Sequence, residues 1–305
     1  MTASKGTVSV VIPAYNSAAT IAASVRSVLC QSYTDWELII VNDGSTDATS
    51  QVLAPFLADQ RVQLLEQPNG GVACARNAGI RRSRGEFVAF LDADDLWEES
   101  KLAQQVELFR AAPASLGLVH TRYSSFSDDP QRCRRKDDDS CFGYLSPSQR
   151  ILVYDFIATS TVMVRAGLFA CVGLFDENLA GTEDWDLWIR ILAGYREQKI
   201  DEVLVRYRES SHGLSGNTAR HLGEEWKVIE KQVRANPLVP ARIRSKAVFY
   251  HQMKELNYLL GQRHYARFAG KAVRSLLQAP FSYCDPGNYR DLFHIFLNRN
   301  ILKRW

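Results

Sequence analysis

Four short apolar runs, Val8 to Ile12, Glu37 to Val41, Val62 to Glu66 and Phe87 to Leu91, dominate the first part of the chain. They are rich in Val, Ile, Leu and Phe, so each predicts a strand covered on both faces, as in a parallel sheet. Between the first two, Ile21, Val25, Val28 and Leu29 recur at helical spacing. After the second, Ser45, Thr46 and Asp47 offer N-caps to a helix reaching about Leu57. The order βαβαβαβ predicts a parallel sheet with right-handed crossovers. From Asp128 to Ser140 the chain has almost no apolar content, which predicts a loop. Further on, the pattern gives a strand at Thr161 to Arg165, a helix at Asp184 to Ala193 and a strand at Lys199 to Tyr207. Past Gly216 it is helical, broken by Pro237, Pro240, Pro280 and Pro286.

Composition adds bounds to this picture. A chain of 305 residues with 46% apolar content can bury one large core or two modest ones. The net charge of +3 is unevenly placed: residues 263–305 hold eight Lys and Arg against two Asp, leaving about −3 for the rest. That asymmetry points to an anionic surface partner for the tail and away from nucleic acid. The start, Met-Thr-Ala-Ser-Lys-Gly, has no apolar signal region, and no run approaches the roughly 18 apolar residues of a membrane span. Cysteines 30, 74, 133, 141, 171 and 284 form no Cys-x-x-Cys pair and no Cys/His metal spacing. They read as reduced thiols in a cytoplasmic protein, with a Cys133–Cys141 disulfide the lesser reading.

The candidate chemistry lies where strand patterns end. Glu86 to Asp95 reads Glu-Phe-Val-Ala-Phe-Leu-Asp-Ala-Asp-Asp, an apolar run that stops in three carboxylates. Asp92, Asp94 and Asp95 repel one another there unless a divalent cation, one that also holds an anionic substrate, relieves them. Such strand ends are where open α/β sheets bind ligands. The second strand ends in Asn42-Asp43-Gly44-Ser45-Thr46-Asp47. Asp43 suits a ring N–H or a ribose hydroxyl, while Asp47 suits a helix cap. Asn69 to Gly79 opens a helix with glycines and carries Arg76, which can pair with a diphosphate or with an aspartate of the acidic loop.

Together these segments resemble family 2 glycosyltransferases of the GT-A fold, inverting enzymes that use nucleotide-sugar donors. The carrying residues are Val8 to Asn16, Val41 to Asp47, Asn69 to Gly79, Phe90 to Asp95 and Gly181 to Arg190, in the family's order, covering about residues 6 to 215. The resemblance implies an α/β fold, a Rossmann-like, mostly parallel sheet flanked by helices, with a C-terminal helical extension. It divides the chain into a nucleotide-sugar-binding half (1–120), an acceptor-binding half with the catalytic base (121–215) and a helical extension (216–305). It also implies Mn2+ or Mg2+ as cofactor, a UDP-sugar donor with TDP- or GDP-sugars as alternatives, and a glycan or lipid-linked acceptor in polysaccharide or glycoconjugate assembly. Oligomeric state stays open.

Residue by residue, the resemblance makes Pro13, Tyr15 and Asp43 the lining of the nucleobase pocket, with Asp43 accepting from a uracil N3–H. Arg76 would lie near the base or the diphosphate. Asp92 and Asp94 match the family's Asp-x-Asp motif, the first near the ribose and the second on the metal, with Asp95 in support. Asp184 matches the catalytic base, Glu183 a supporting role and Trp185 an acceptor contact. Glu183 and Asp184 equally suit a helix N-terminus, and Trp185 and Trp188 equally suit a core. His212 is a candidate second metal ligand. Arg206 and Arg208 suit a phosphate clamp or a pair with Glu209. Thr159, Ser160 and Thr161 suit a place facing the active site, but small hydroxyls before a strand are usually turn formers, the reading preferred for them.

In the last 43 residues basic side chains alternate with aromatics, from Tyr265 and Arg267 to Arg304 and Trp305. This suits either packing on the rest of the protein or peripheral contact with the inner face of a membrane through 263–305. Three other functions would leave different traces in the sequence. A sugar-1-phosphate nucleotidyltransferase calls for a Gly-rich loop with Arg and Lys after the first strand, where Ala14-Tyr15-Asn16-Ser17-Ala18 stands. A catalytically inactive nucleotide-sugar-binding protein would lack Asp94 or Asp184. A Rossmann dehydrogenase would show Gly-x-Gly-x-x-Gly after its first strand.

Overall fold

The computed structural model describes residues 4–127, 142–209 and 218–278. In chain order the elements are β1 (Ser4–Ala14), α1 (Ile21–Leu29), β2 (Trp36–Asp43), α2 (Thr49–Leu53), β3 (Val62–Gln67), α3 (Val72–Arg82), β4 (Gly85–Phe90), β5 (Leu96–Trp97) and α4 (Lys101–Ala111). They continue with β6 (Leu116–Phe126), α5 (Pro147–Val153), β7 (Met163–Arg165), α6 (Phe169–Val172), α7 (Glu183–Gly194) and β8 (Arg196–Arg208). The last three are α8 (Thr218–Val228), α9 (Ala241–Gly261) and α10 (Tyr265–Gln278).

All eight strands form one sheet in the order β3-β2-β1-β4-β7-β6-β8-β5. The four strands expected from the apolar runs pair in parallel. Their continuous apolar sequence follows from that position, since every residue of β2 is buried and neither face of the strand meets water. β7 then runs antiparallel to both β4 and β6, β8 lies parallel to β6, and β5 pairs antiparallel with β8. The sheet is therefore mixed and mostly parallel, flanked by helices. Helix α3 lies close against β1 and β2 because Gly79 faces Val11; a Cβ at position 79 would overlap the valine methyls.

Two expected elements are shorter than their patterns. The helix read to Leu57 ends at Leu53 and tightens into a 3-10 turn at Ala54–Ala58, where Pro55 cannot donate the α-helical hydrogen bond. The strand read from Thr161 begins at Met163, preceded by a 3-10 turn at Thr159–Thr161.

The chain divides into two compact units, one of residues 1–137 and 157–213 and the other of 138–156 and 214–305. The first holds the whole sheet. β7 and β8, which fall in the stretch read as the acceptor-binding half (121–215), are strands of that same sheet. In the second unit, α5, α8 and α10 each pack on α9, and Tyr250 of α9 meets Phe142 and Tyr154 with ring centroids 5.6 and 5.9 Å away. Among the described residues no helix is long and apolar enough to cross a membrane. The segments 128–141, 210–217 and 279–305, and with them Cys133, Cys141, His212, Cys284 and most of the basic tail, lie outside the described residues.

Candidate active site

The register of the parallel strands brings their carboxyl ends to one edge of the sheet. Ala14 pairs with Asn42, Asp43 with Gln67 and Val11 with Phe90, so Tyr15, Asp43 and Asp92 all emerge at that edge. Two loops there are knitted by polar side chains. Asn16 N–H donates to Ser45 Oγ (2.9 Å), Thr46 N–H to Asn16 Oδ1 (2.8 Å), and Ala18 N–H to Asp47 Oδ2 (3.1 Å). Asp47 Oδ1 also accepts from Thr49 N–H at the start of α2, the capping role read for it. Asn16 stands at φ 49°, a left-handed conformation that Asn tolerates better than most residues.

Pro13 is buried within β1, one residue short of the strand's end, while Tyr15 is 52% exposed. Asp43 is buried and works as an anchor. Its Oδ1 accepts from Gln67 Nε2 (2.7 Å) and Gly70 N–H (2.9 Å), and its Oδ2 from Gly71 N–H (2.8 Å). It thus fixes the glycine turn that opens α3. A carboxylate offers about four acceptor positions, so Oδ2 keeps one for a further donor.

Arg76, buried in α3, takes the acidic of its two expected partnerships. One guanidinium nitrogen bonds Asp92 Oδ1 and another Glu183 Oε1, each at 2.6 Å, with the Phe175 ring 5.5 Å away. Burial disfavours its charge, but Asp92, Glu183 and Asp184 together raise its pKa, so it is a fixed cation. The next residue, Asn77, ties down the loop before α7: its Nδ2 donates to Phe175 O (2.9 Å) and Glu177 Oε1 (2.8 Å), and its Oδ1 accepts from Phe175 N–H (2.9 Å). The glycine-rich start of α3 had pointed to Arg76 alone. The signal for Asn77 was its adjacency, which a sequence does not distinguish from surface polarity.

The acidic loop follows β4. Asp94 is pushed up to about 6, first by burial and then by the carboxylate of Asp92. Asp95 is raised well above the usual range, again chiefly by burial and then by Asp92 and Asp94. Its carboxylate accepts from Ser160 Oγ (2.5 Å) and Arg208 N–H (2.8 Å), which pins the loop to the end of β8. Arg208 Nε also donates to Asp94 O (3.1 Å), and its guanidinium lies 4.5 Å from the Phe126 ring centroid. Arg206 lies 5.1 Å from the same ring.

Helix α7 supplies the other carboxylates. Glu183 is buried, gives Oε1 to Arg76 and accepts from Gly181 N–H at Oε2 (2.7 Å). Burial raises its pKa, Arg76 opposes this, and Asp184 adds to the rise. Asp184 is half-buried; its Oδ2 accepts from Thr159 Oγ1 (2.6 Å) and its Oδ1 from Trp185 N–H (2.8 Å). Trp185 is 1% exposed, the burial that the helical pattern also allowed. Asp186 is buried and paired with Arg190 at 2.8 Å, which fastens the helix one turn on.

Two residues read as turn formers prove central. Thr159 holds Asp184, and Ser160 holds both Asp95 and the Asp92 N–H (3.1 Å). Consecutive hydroxyls were their only trace in the sequence. The structure thus brings Asp92, Asp94, Asp95, Arg76, Glu183 and Asp184 into one connected network. Among the described residues no group of three His, Cys, Asp or Glu is arranged to hold a metal ion, and His212 lies outside them.

Comparison with known proteins gives the family and the fold. The family model for glycosyl transferase family 2 matches residues 9–169. An Escherichia coli protein named UDP-Glc:alpha-D-GlcNAc-diphosphoundecaprenol beta-1,3-glucosyltransferase WfgD is 29% identical over 242 residues, 76% of this chain and 88% of that one. A Rickettsia bellii glycosyltransferase is 35% identical over 203 residues, yet the chain spans only 29% of its length. Among solved structures, Staphylococcus aureus TarS 1–349 in complex with UDP-GlcNAc superposes with a TM-score of 0.65 at 19% identity, covering 80% of this chain and 72% of that one. The mannosyltransferase PcManGT from Pyrobaculum calidifontis, in complex with GDP-Man and Mn2+, does so with a TM-score of 0.62 at 19% identity, covering 97% and 86%. At such identities these two structures establish the GT-A fold. The sheet, its carboxylate network and the family match together make this chain a member of glycosyl transferase family 2.

Proposed function

We propose that the chain is a metal-dependent inverting glycosyltransferase that moves a sugar from a UDP-sugar to a hydroxyl of a glycan or lipid-linked acceptor. The observation that carries this reading is the link from the acidic loop to Asp184 through Arg76 and Glu183. This link supports reading Asp92 and Asp94 as a donor-side pair and Asp184 as an acceptor-side base. The name of the E. coli relative supports both a UDP-sugar and a lipid diphosphate acceptor, and the TarS complex supports a UDP-sugar.

The donor set fits a divalent cation. Asp94 is pushed up to about 6 by burial and then by the Asp92 carboxylate, and a bound cation would relieve that repulsion. Asp94 and Asp92 would hold it, with His212 as a further candidate. When bound, the cation supplies charge neutralisation for the departing diphosphate. The chain's own residues do the rest. Asp43, through its open Oδ2 position, accepts from the nucleobase N3–H, beside Pro13 and Tyr15. Arg76 holds Asp92 in place through their 2.6 Å ion pair. Asp184 accepts, at a carboxylate oxygen, the proton of the attacking hydroxyl while the hydroxyl's own oxygen bonds to the anomeric carbon and the diphosphate leaves from the opposite face. A single base and a single displacement invert the anomeric configuration.

A screen of nucleotide-sugars with Mn2+ or Mg2+, reading thermal shift and release of the nucleoside diphosphate, tests the donor. Asp184→Asn is expected to bind donor and lose transfer, whereas Asp94→Ala is expected to weaken cation-dependent donor binding. Transfer by Asp184→Asn at the wild-type rate would falsify the base assignment. The basic, aromatic segment 263–305 is proposed to touch an anionic membrane surface, where lipid-linked acceptors reside; flotation of the full chain on anionic but not neutral liposomes is the expected result.

A further inference from the structure

We infer that Thr159 is a positioning residue for Asp184, and that the 3-10 turn Thr159–Thr161 locks the base and the acidic loop to one rigid segment. This rests on the reading of Asp184 as the base.

The geometry is specific. Thr159 is 5% exposed, and its hydroxyl donates to Asp184 Oδ2 at 2.6 Å, while Trp185 N–H holds Oδ1 at 2.8 Å. With one donor on each oxygen, the plane of the carboxylate is set and its remaining lone pairs are aimed. A hydroxyl that merely needed a partner could have turned to a backbone carbonyl, as Thr161 does toward Ala158 O at 2.6 Å. The next residue works on the donor side. Ser160 Oγ donates to Asp95 Oδ2 (2.5 Å) and accepts from Asp92 N–H (3.1 Å), while its carbonyl accepts from Trp97 Nε1 (2.8 Å). Thr161 O accepts from Gln105 Nε2 (2.9 Å), so β5, α4, α7 and the acidic loop all grip this short turn.

Asp92 and Asp184 are far apart in sequence and belong to separate elements. Their relative placement therefore depends on cross-links, of which Arg76 with Glu183 is one and this turn another. Misplacing a reacting group by about 1 Å costs on the order of 100-fold in rate. The turn gives the two halves a common reference, and Thr159 Oγ1 is its contact with the base.

The test compares the full-length chain with Thr159→Val, which keeps the shape and loses the hydroxyl, with Thr159→Ser, which keeps the hydroxyl, and with Asp184→Asn. The reaction is Mn2+-dependent release of nucleoside diphosphate from UDP-glucose, UDP-galactose, UDP-N-acetylglucosamine, TDP-glucose and GDP-mannose, with water as acceptor. Crystal structures of the two Thr159 variants read the Asp184 carboxylate directly. Expected for Thr159→Val is a fall in kcat of about 10- to 100-fold with donor KM within about twofold, recovered to within about threefold by Thr159→Ser. In the crystal, the Asp184 carboxylate should rotate in the valine variant and stay in the serine variant. If Asp184→Asn is inactive while Thr159→Val keeps the wild-type kcat, the positioning role is wrong and the base assignment survives. If Asp184→Asn is fully active, the base reading falls and this inference with it. A changed KM at unchanged kcat would overturn positioning in favour of a donor contact. Should water prove too poor an acceptor for turnover, an Asp184 carboxylate unmoved in the Thr159→Val crystal overturns the inference by itself.

Discussion

Replacing Arg76 by Met removes the cation that two carboxylates share. The cost follows from their burial. The Arg76 and Glu183 side chains are 5% and 3% exposed and meet at 2.6 Å, whereas Asp92, also at 2.6 Å, is 30% exposed. Breaking a buried pair from one side costs about 3–5 kcal/mol, because the partner's charge is left without solvent or counter-ion. Water screens the Asp92 pair, which adds less than about 1 kcal/mol. The expected loss is therefore about 4 kcal/mol, nearly all through Glu183, or a fall of about 1 M or more in the urea midpoint. Trp36, Trp97, Trp185 and Trp188 all lie in the unit that holds the sheet, so tryptophan fluorescence follows its unfolding.

The sign with pH follows from Glu183. Burial raises its folded-state pKa, and losing Arg76 raises it further. A carboxyl whose folded pKa is raised carries no penalty below its unfolded value near 4.5 and loses stability as pH rises through the folded value. The deficit of Arg76→Met should thus be largest near pH 8 and shrink toward about pH 5. Adding Glu183→Gln should recover about 2 kcal/mol at neutral pH by removing the stranded charge. An Arg76→Met midpoint equal to wild type, or a deficit that grows on acidification, would refute the reasoning.

Two further outcomes are expected elsewhere in the chain. Lys101 is fully buried, 2.8 Å from Gln105 Oε1 and 3.9 Å from the Trp97 ring centroid, and burial holds its pKa well below the usual lysine range. The unfolded chain binds that proton more readily, so stability should rise with pH toward the unfolded value; Lys101→Met should abolish this slope and stabilise by about 1–3 kcal/mol at pH 7, read from urea melts. In the helical unit, burial disfavours the Glu225 charge, but hydrogen bonds from His221 and His251 and the Lys254 ammonium outweigh it and hold the carboxyl well below its ordinary range. Stability from this group is present above pH 4.5 and is lost as pH falls through the depressed folded value, so Glu225→Gln should cost about 3 kcal/mol at pH 7 and less, though not zero, near pH 3. Hydrogen exchange in α8 and α9 at the two pH values reads this, and equal protection in both proteins at pH 7 would contradict it.

Legibility in the sequence tracked how local the cause of each feature was. β1 to β4 were readable because burial on both faces leaves a continuous apolar run, whatever lies beyond. Their carboxylates at strand ends were readable for the same reason, since a charge cluster against an apolar run has few structural uses. Pro55 was visible too, yet the helical spacing around it masked its effect on α2. The remaining strands were harder. β7 has three residues and owes its place to β4 and β6, and nothing local says that it runs antiparallel to both.

By itself the sequence marked the candidate site residues, Asp43, Arg76, Asp92, Asp94, Asp95, Glu183 and Asp184, through residue type, position at element ends and the family resemblance. Tertiary structure decided what each of them touches. It gave Arg76 to two carboxylates, Asp43 to the glycine turn, Trp185 to the core, and Thr159 and Ser160 to the network. The physical reason is range. An apolar run or a strand-end charge is specified by its neighbours in sequence, whereas Arg76 meets Glu183 across 107 residues and Ser160 meets Asp95 across 65. Such pairings exist only once the sheet has brought the elements together.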